Sequence, residues 1–207
     1  MTAPSRRDLL ALAAAFAASP AVAQTAGPAA GGFQTTPVAL TTPLGRIVIA
    51  LETTRAPLTS ANFLRYVDGK RFDGAATFFR ASRPKGSTRD DVGLVEGGLS
   101  AHPEKLLPPI AHESTAQTGL SHLDGTISIA RNAPGTAQAD FFICLGTQTY
   151  LDATPTQPGF AAFGQVTEGL EIVRRILVMP TDPEKGEGSM KGEMLVTPVP
   201  ITQARRI

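Results

Sequence analysis

The stretch of residues 126–144 constrains the fold of this chain more than any other part of the sequence. Residues 126–130 alternate apolar and small polar side chains, which is typical of a half-buried strand. A glycine-containing loop follows, and residues 140–144 are apolar enough to form a strand in the core. Because successive side chains of a strand point to opposite faces, we expect Phe141 and Phe142 to lie on opposite sides of a sheet. One of them is then free to form the floor of a surface pocket.

A second aromatic segment, residues 77–80, has the same pattern and ends in a single arginine, Arg80. We expect the two segments to meet and to place Arg80 beside an aromatic cleft. The sequence therefore predicts a site that combines one guanidinium group with an apolar pocket.

The composition favours one β-rich domain. The 207 residues suit a single domain, and 42% hydrophobic with 18% charged residues are enough for a packed core. The 20 glycines and 17 prolines indicate many turns, which fit a β fold better than a helical bundle. A net charge of +1 without a long basic run argues against nucleic acid and anionic membrane surfaces as partners. Cys144 is the only cysteine, and its apolar strand favours a buried side chain over a nucleophile.

Residues 1–23 have the pattern of an export signal. Arg6 and Arg7 form a twin-arginine region, residues 9–18 are apolar, and residues 21–23 fit a small-residue cleavage site. The apolar run is short for a membrane span, so we expect no stable membrane insertion. A retained anchoring helix is the alternative. The paired arginines favour the twin-arginine route, although signals of the general secretion route also carry two basic residues.

Cleavage after Ala23 would release a mature chain of two parts. Residues 24–36 are rich in Ala, Gly and Pro and predict a disordered leader. Residues 37–207 form the expected folded domain, which we expect to be periplasmic. Nothing in the sequence requires more than a monomer.

The folded part predicts about eight strands and two helices. The strand patterns cover residues 38–41, 46–51, 71–80, 93–98, 126–130, 140–144, 160–166 and 194–204. Thr59 or Ser60 is the expected cap of the first helix, and Thr167 that of the second. Residues 81–92 and 181–193 read as surface loops. Many antiparallel strands with two separate helices favour a closed barrel capped at its ends.

Several short motifs follow one another in a recognisable order. They are APLT with NF at residues 56–63, FDG and FFR at 72–80, EGG at 96–98, GTISIA at 125–130, FFI at 141–143, LD at 151–152 and FGQV with EG at 163–169. In this order they resemble the cyclophilin-type peptidyl-prolyl cis-trans isomerases over about residues 38–176. The resemblance implies a mainly β fold, a closed eight-stranded antiparallel β-barrel capped by two α-helices, which acts on proline-containing polypeptides without a cofactor.

The resemblance also implies the residues of the site. Arg80 falls on the catalytic arginine of the family. The substrate-binding positions fall on Leu94, Glu96, Ala130, Arg131, Asp140, Phe142, Tyr150, Leu151 and Phe160. Some of these differ from the family's usual residues, because Glu96 and Asp140 replace glutamines and Tyr150 replaces a tryptophan. Phe79, which precedes Arg80, replaces a histidine.

Prolyl isomerisation needs little chemistry from a protein. Rotation is slow because resonance gives the C–N bond partial double character, with a barrier of ~18–20 kcal/mol. An enzyme has only to bind the twisted amide better than the planar one. Arginine suits this task because it is always charged and carries a rigid fork of N–H donors.

Glu96 and Asp140 are expected to modify that chemistry. We expect one or both to lie near Arg80 and to orient its fork. A carboxylate ~4 Å from the guanidinium group attracts it by about 4 kcal/mol at an effective dielectric of ~20, before solvation is discounted. That attraction competes with the binding of the substrate to the same group. The sequence therefore predicts weaker or more selective activity than a glutamine-bearing relative would have.

Two other functions remain open at the level of the sequence. A cyclophilin-like binding module or chaperone would hold proline segments with little turnover. A hydrolase would use Glu96 and Asp140 for acid–base work, but the sequence offers no plausible proton for them to move. The three histidines share no ligand spacing, so we expect no metal site.

Overall fold

The computed structural model describes residues 32–84 and 89–207 of the chain. Within them lie the helices α1 (Pro57–Asp68), α2 (Thr115–Thr118) and α3 (Leu170–Leu177). The strands are β1 (Thr35–Thr42), β2 (Gly45–Glu52), β3 (Thr77–Ser82), β4 (Gly93–Gly98), β5 (Thr126–Ile129), β6 (Phe141–Leu145), β7 (Ala161–Glu168), β8 (Thr181–Asp182), β9 (Met194–Pro200) and β10 (Gln203–Arg206). The mainly β fold is confirmed. The expected signal peptide, residues 1–23, lies outside the described residues.

All ten strands belong to one antiparallel sheet in the order β10-β1-β2-β7-β5-β6-β4-β3-β9-β8. The expected count of eight strands is wrong for two reasons. The predicted loop of residues 181–193 contributes β8, and the predicted strand of residues 194–204 divides into β9 and β10. The division occurs because Ile201 donates a backbone hydrogen bond to Ala76, beside β3, whereas Thr202 donates to Thr41 in β1. The chain therefore passes, between β9 and β10, from one side of the strand order, beside β3, to the other side, beside β1.

Strand β1 begins two residues before the expected start of the domain. Thr35 and Thr36 pair with Glu52 and Leu51 of β2, so they belong to the sheet and not to a disordered leader. Pairing with a neighbouring strand satisfies their backbone groups, a long-range effect that local composition does not reveal.

Helix α1 begins at Pro57, so the prediction of a cap at Thr59 or Ser60 is wrong. Glu113, from a distant loop, caps the first turn instead. Its carboxylate accepts hydrogen bonds from the backbone N–H groups of Leu58 at 3.1 Å and Thr59 at 2.8 Å. The hydroxyl of Thr59 donates to the same carboxylate at 2.8 Å. These bonds satisfy donors that the start of a helix leaves without intrahelical partners.

Thr167 lies in β7 and does not cap α3, contrary to prediction. The residue before α3 is Gly169, whose φ of +81° is left-handed. A side chain at Gly169 would place its Cβ 2.4 Å from the backbone oxygen of Arg46. A glycine is required here because the chain turns into the helix directly against β2.

An aromatic cluster fills the core between α1 and the sheet. The rings of Phe63 and Phe141 lie 5.4 Å apart, edge to face, and Phe141 also meets Phe72 and Phe78. Phe142, the next residue, lines a cleft on the other side of the strand. The prediction that the two adjacent phenylalanines lie on opposite faces is confirmed, and it places Phe142 in the candidate site.

Candidate active site

A cleft of about 720 Å³ contains the candidate site. All ten residues predicted for the site line it, namely Arg80, Leu94, Glu96, Ala130, Arg131, Asp140, Phe142, Tyr150, Leu151 and Phe160. The cleft is also lined by Glu187 and Met190 of the segment that precedes β9 and by Met194, the first residue of β9. The structure thus brings together predicted residues that are up to 80 positions apart in the chain, from Arg80 to Phe160.

A β-bulge in β3 turns Arg80 towards the cleft. Phe78 pairs with Gly97 and Arg80 with Glu96, so Phe79 is an extra residue on β3. Phe78 is fully buried in the core, whereas both Phe79 and Arg80 line the cleft. Gly97 leaves room for the ring of Phe78, because a Cβ at Gly97 would lie 2.8 Å from that ring.

The two aromatic segments do not pair directly, because β4 lies between β3 and β6. Glu96 of β4 faces Arg80 on one side and Phe142 on the other. The expected neighbourhood of Arg80 and an aromatic cleft is therefore found, but one strand separates the two segments. Glu96 consequently lies between Arg80 and Phe142 across the three strands, and its carboxylate contacts the guanidinium group.

Two carboxylates bind the guanidinium group of Arg80. Nη1 donates to Glu96 Oε2 at 2.6 Å. Nε donates to Glu193 Oε2 at 2.8 Å, and Nη2 lies 2.6 Å from the same oxygen. The side chain of Arg80 is 16% exposed. Burial alone would lower its pKa, but the hydrogen bonds and charges of Glu96 and Glu193 outweigh burial and raise the pKa.

Sequence reasoning missed Glu193. It lies at the end of the segment predicted to be a surface loop, directly before β9. Its Oε1 accepts a hydrogen bond from Ser82 Oγ at 2.8 Å, and its backbone oxygen accepts one from Ala81 at 2.9 Å. No motif marks this residue, because only the pairing of β9 with β3 brings it to Arg80.

Asp140 binds the backbone and not Arg80. Its Oδ1 accepts a hydrogen bond from the backbone N–H of Leu99 at 2.7 Å. A side chain at Gly98 would place its Cβ 2.2 Å from that oxygen, so the carboxylate needs this glycine. Burial raises the pKa of Asp140 to about 6, and the charge of Glu96 adds to the rise against backbone hydrogen bonds from Leu99 and Ser100.

Aromatic rings form the apolar part of the cleft. Phe142 packs edge to face against Phe160 with ring centroids 5.4 Å apart. Its other neighbour is His122, whose ring stacks on it at 5.9 Å with an interplanar angle of 15°. Leu151 accepts a backbone hydrogen bond from Phe160 at 2.9 Å, which holds the two segments together. These contacts give the Phe142 ring fixed neighbours on two sides.

The remaining predicted residues form the rim. Ala130 donates its backbone N–H to Asp140 O at 2.8 Å, which extends the pairing of β5 and β6. The guanidinium carbon of Arg131 lies 4.9 Å from the centre of the Phe160 ring, a cation–π contact. Tyr150 is 76% exposed and donates a hydrogen bond from its hydroxyl to Gln148 Oε1 at 2.8 Å.

A buried polar cluster lies beneath the Phe142 ring. His122 Nδ1 is 2.5 Å from Asp152 Oδ1, and His122 Nε2 is 3.0 Å from Ser128 Oγ. Both His122 and Ser128 are 0% exposed, so no substrate reaches this serine and the cluster is structural. Sequence reasoning considered the histidines only as metal ligands. Across residues 32–84 and 89–207, no group of three or more His, Cys, Asp or Glu side chains is arranged to hold a metal ion.

The fold and the cleft together define a cyclophilin-like protein, with a fixed guanidinium group beside an apolar pocket on a mainly β scaffold. Residues 37–205 match the family described as cyclophilin type peptidyl-prolyl cis-trans isomerase/CLD. The chain belongs to this family and is a peptidyl-prolyl isomerase by homology.

Individual relatives agree with this assignment. Peptidyl-prolyl cis-trans isomerase A of Dickeya dadantii is 33% identical over 158 residues, which cover 75% of this chain and 78% of the relative. A peptidyl-prolyl cis-trans isomerase of Streptomyces antibioticus is 34% identical over 174 residues, which cover 81% and 96%. A cyclophilin-type isomerase of Cryptosporidium parvum superposes with a TM-score of 0.64 over 84% of this chain and 98% of its own. At 16% identity, that last likeness shows the fold alone.

Proposed function

We propose that this cleft isomerises X-Pro bonds with Arg80 as the catalytic residue. The observation that carries the proposal is the meeting of Arg80 with Phe142, Leu94 and Leu151 along one cleft. In this proposal the apolar side chains hold the proline ring while the other side of the bond rotates. Rotation frees the lone pair of the prolyl nitrogen, and an Arg80 N–H donates to it, so the twisted amide is bound more tightly than either planar form.

The other cleft residues would hold the rest of the peptide. Ala130 and Arg131 follow β5, where an extended substrate would lie along the chain. Tyr150 and Phe160 would offer apolar contact at the rim, and Glu96 with Asp140 would contribute negative charge. We also infer that the sheet is closed into a barrel, since β9 and β10, which follow each other directly in the chain, lie on opposite sides of the strand order.

We further propose that the substrates are exported proteins during folding in the periplasm. Support comes from the export pattern of residues 1–23. None of the described helices is long and apolar enough to cross a membrane. N-terminal sequencing of the chain after expression in a bacterial host tests the proposal. We expect a mature chain that starts near Gln24, and a chain recovered from the cytoplasm with residues 1–23 intact would contradict it.

A second function, a binding module with little turnover, is favoured by one specific observation. Glu96 and Glu193 together contact all three nitrogens of the Arg80 guanidinium group, which therefore has less hydrogen-bonding capacity left for an amide in rotation. A protease-coupled assay on a short Ala-Pro peptide separates the two functions. We expect Arg80→Ala to lower kcat/KM about 100-fold, the usual effect of removing one electrostatic stabiliser.

Arg206→Ala is the matched control, because Arg206 is an exposed arginine paired with Asp68. It should keep the wild-type rate. If wild type and Arg80→Ala are equally slow while both bind the peptide, the catalytic role is wrong and the binding module stands.

A further inference from the structure

We propose that Glu193 is a positioning residue that fixes the plane of the Arg80 guanidinium group. The inference rests on the proposed catalytic role of Arg80. Glu193 Oε2 lies between Nε and Nη2 of Arg80, at 2.8 Å and 2.6 Å, so one oxygen binds one whole edge of the group. An edge held at two nitrogens cannot turn about the last bonds of the side chain without breaking both contacts.

Glu193 is itself held from two directions. Ser82 Oγ donates to its second oxygen, Oε1, at 2.8 Å. The backbone N–H of Ala81 donates to its backbone oxygen at 2.9 Å. Both donors belong to β3, the strand that carries Arg80, so the position of the carboxylate is set by the same strand as the group it orients.

Glu193 and Glu96 bind Arg80 in different places. Glu96 lines the cleft, whereas Glu193 is outside the cleft lining and contacts the opposite edge of the guanidinium group. An arginine has five N–H donors; two of them donate to these carboxylates, and Nη2 contacts Glu193 as an ion pair at 2.6 Å. At least one N–H on Nη1 and one on Nη2 are left for a substrate. Glu193 therefore orients the group without occupying the space into which the substrate enters.

The expected benefit is pre-organisation. A free arginine side chain has many rotamers, and ordering it during the reaction costs conformational entropy. A carboxylate that already holds the side chain in one orientation removes this cost from the reaction step. A misplacement of roughly 1 Å can cost ~100-fold in rate. Loss of Glu193 should therefore lower kcat more than it raises KM, because the ground-state peptide depends mainly on the apolar pocket.

Two variants test the proposal by different routes. Glu193→Gln keeps the shape but removes the charge, and we expect kcat to fall about tenfold with KM changed less than about twofold. Ser82→Ala keeps the Glu193 carboxylate but removes the hydrogen bond to its Oε1, and we expect kcat to fall by a smaller factor of about threefold. Glu184→Gln is the control, because Glu184 is a highly exposed carboxylate of the same segment paired with Lys191. It should match the wild type.

A double-mutant cycle separates positioning from general stability. In the Arg80→Ala background, Glu193→Gln should have no further effect on kcat, because the residue acts only through Arg80. An equal loss in both backgrounds, an unchanged kcat, or a faster Glu193→Gln enzyme would each overturn the proposal. If Glu193→Gln does not fold, Ser82→Ala paired with Arg80→Ala decides in the same way.

Exchange of the Arg80 Nε–H with solvent gives a readout that does not need turnover. Nitrogen-15 NMR should show slow exchange of this proton in the wild type and faster exchange in Glu193→Gln, since that proton faces Glu193. Equal exchange in the two proteins would overturn the positioning role. A wild type that isomerises no peptide would instead remove the proposed catalytic function, while the exchange rates would still decide how Arg80 is held.

Discussion

Glu96 stands between two functional side chains, because it faces Arg80 on one neighbouring strand and Phe142 on the other. Glu96 lines the cleft, and its carboxylate accepts a hydrogen bond from an Arg80 N–H that the proposed function would otherwise leave to the substrate. We expect Glu96→Gln to raise kcat/KM by about threefold to tenfold, because the amide oxygen still accepts from Nη1 without competing as a charge. The expected gain corresponds to much less than the ~4 kcal/mol attraction between a carboxylate and a guanidinium group ~4 Å apart at a dielectric of ~20, since the site is partly solvated.

The measurement is the protease-coupled rate on the Ala-Pro peptide, with Glu184→Gln as the control for loss of one negative charge. Asp140→Gln should give no comparable gain, because Asp140 binds the backbone of Leu99 instead of Arg80. A Glu96→Gln rate equal to or below that of the wild type would show that Glu96 assists Arg80 instead of competing with it.

The individual site residues were predictable to different degrees. Arg80 and Phe142 stand in segments whose aromatic pattern marks them, and a family motif covers each. Glu193 carries no such mark, because its role follows from the pairing of β9 with β3 across more than a hundred residues of chain. Asp140 was placed in the cleft correctly, but its hydrogen-bond partner depends on the backbone turn at Gly98.

At the scale of elements, local patterns predicted most strands and misplaced their ends. The two phenylalanines of β6 were interpreted correctly, because successive side chains of a strand point to opposite faces. Residues 126–129 form the expected strand, but all four are buried, so the prediction of a half-buried strand is wrong because both faces of β5 are covered. The break between β9 and β10 was missed, since it depends on Ile201 donating to Ala76, beside β3, while Thr202 donates to Thr41 in β1. The start of α1 was missed for the same kind of reason, because its cap comes from a distant loop.

That distant cap gives a prediction for stability. Glu113 is buried and binds two backbone N–H groups and one hydroxyl at the start of α1. We expect Glu113→Ala to lower the free energy of unfolding by about 2 kcal/mol, since it removes a helix cap and leaves buried donors without a partner. Urea unfolding measures the change. Glu104→Ala, at an exposed carboxylate, is the control and should stay within about 0.5 kcal/mol of the wild type.

At the scale of the whole molecule, one buried polar cluster joins parts of the chain that are distant in sequence. His122 binds Asp152 and Ser128, and Ser121 binds the second oxygen of Asp152. The His122 ring also supports Phe142 from below. The floor of the cleft thus depends on groups whose charge changes with pH, and folding should be linked to pH through them.

Two groups should act on stability with opposite signs between pH 7 and pH 5. Burial lowers the pKa of His122, although Asp152 acts to raise it, so the unfolded chain binds a proton more readily than the folded one. The contribution of His122 to the free energy of unfolding is fully present above the unfolded pKa of ~6.5 and declines as the pH falls below that value. Burial raises the pKa of Asp140 to about 6, so the folded chain takes up the proton first, and this contribution grows as the pH falls.

Urea unfolding at pH 7, 6 and 5 separates the two contributions. On acidification, His122→Gln should lose less stability than the wild type, because it lacks the histidine that is protonated more readily in the unfolded chain. Asp140→Asn should lose more stability than the wild type, because it lacks the carboxylate that takes up a proton more readily in the folded chain. His102→Gln, which removes a partly exposed histidine, is the control and should follow the wild-type curve. Parallel curves for all four proteins would mean that neither buried group couples folding to pH, whereas a steeper curve for His122→Gln would reverse the sign assigned to the histidine.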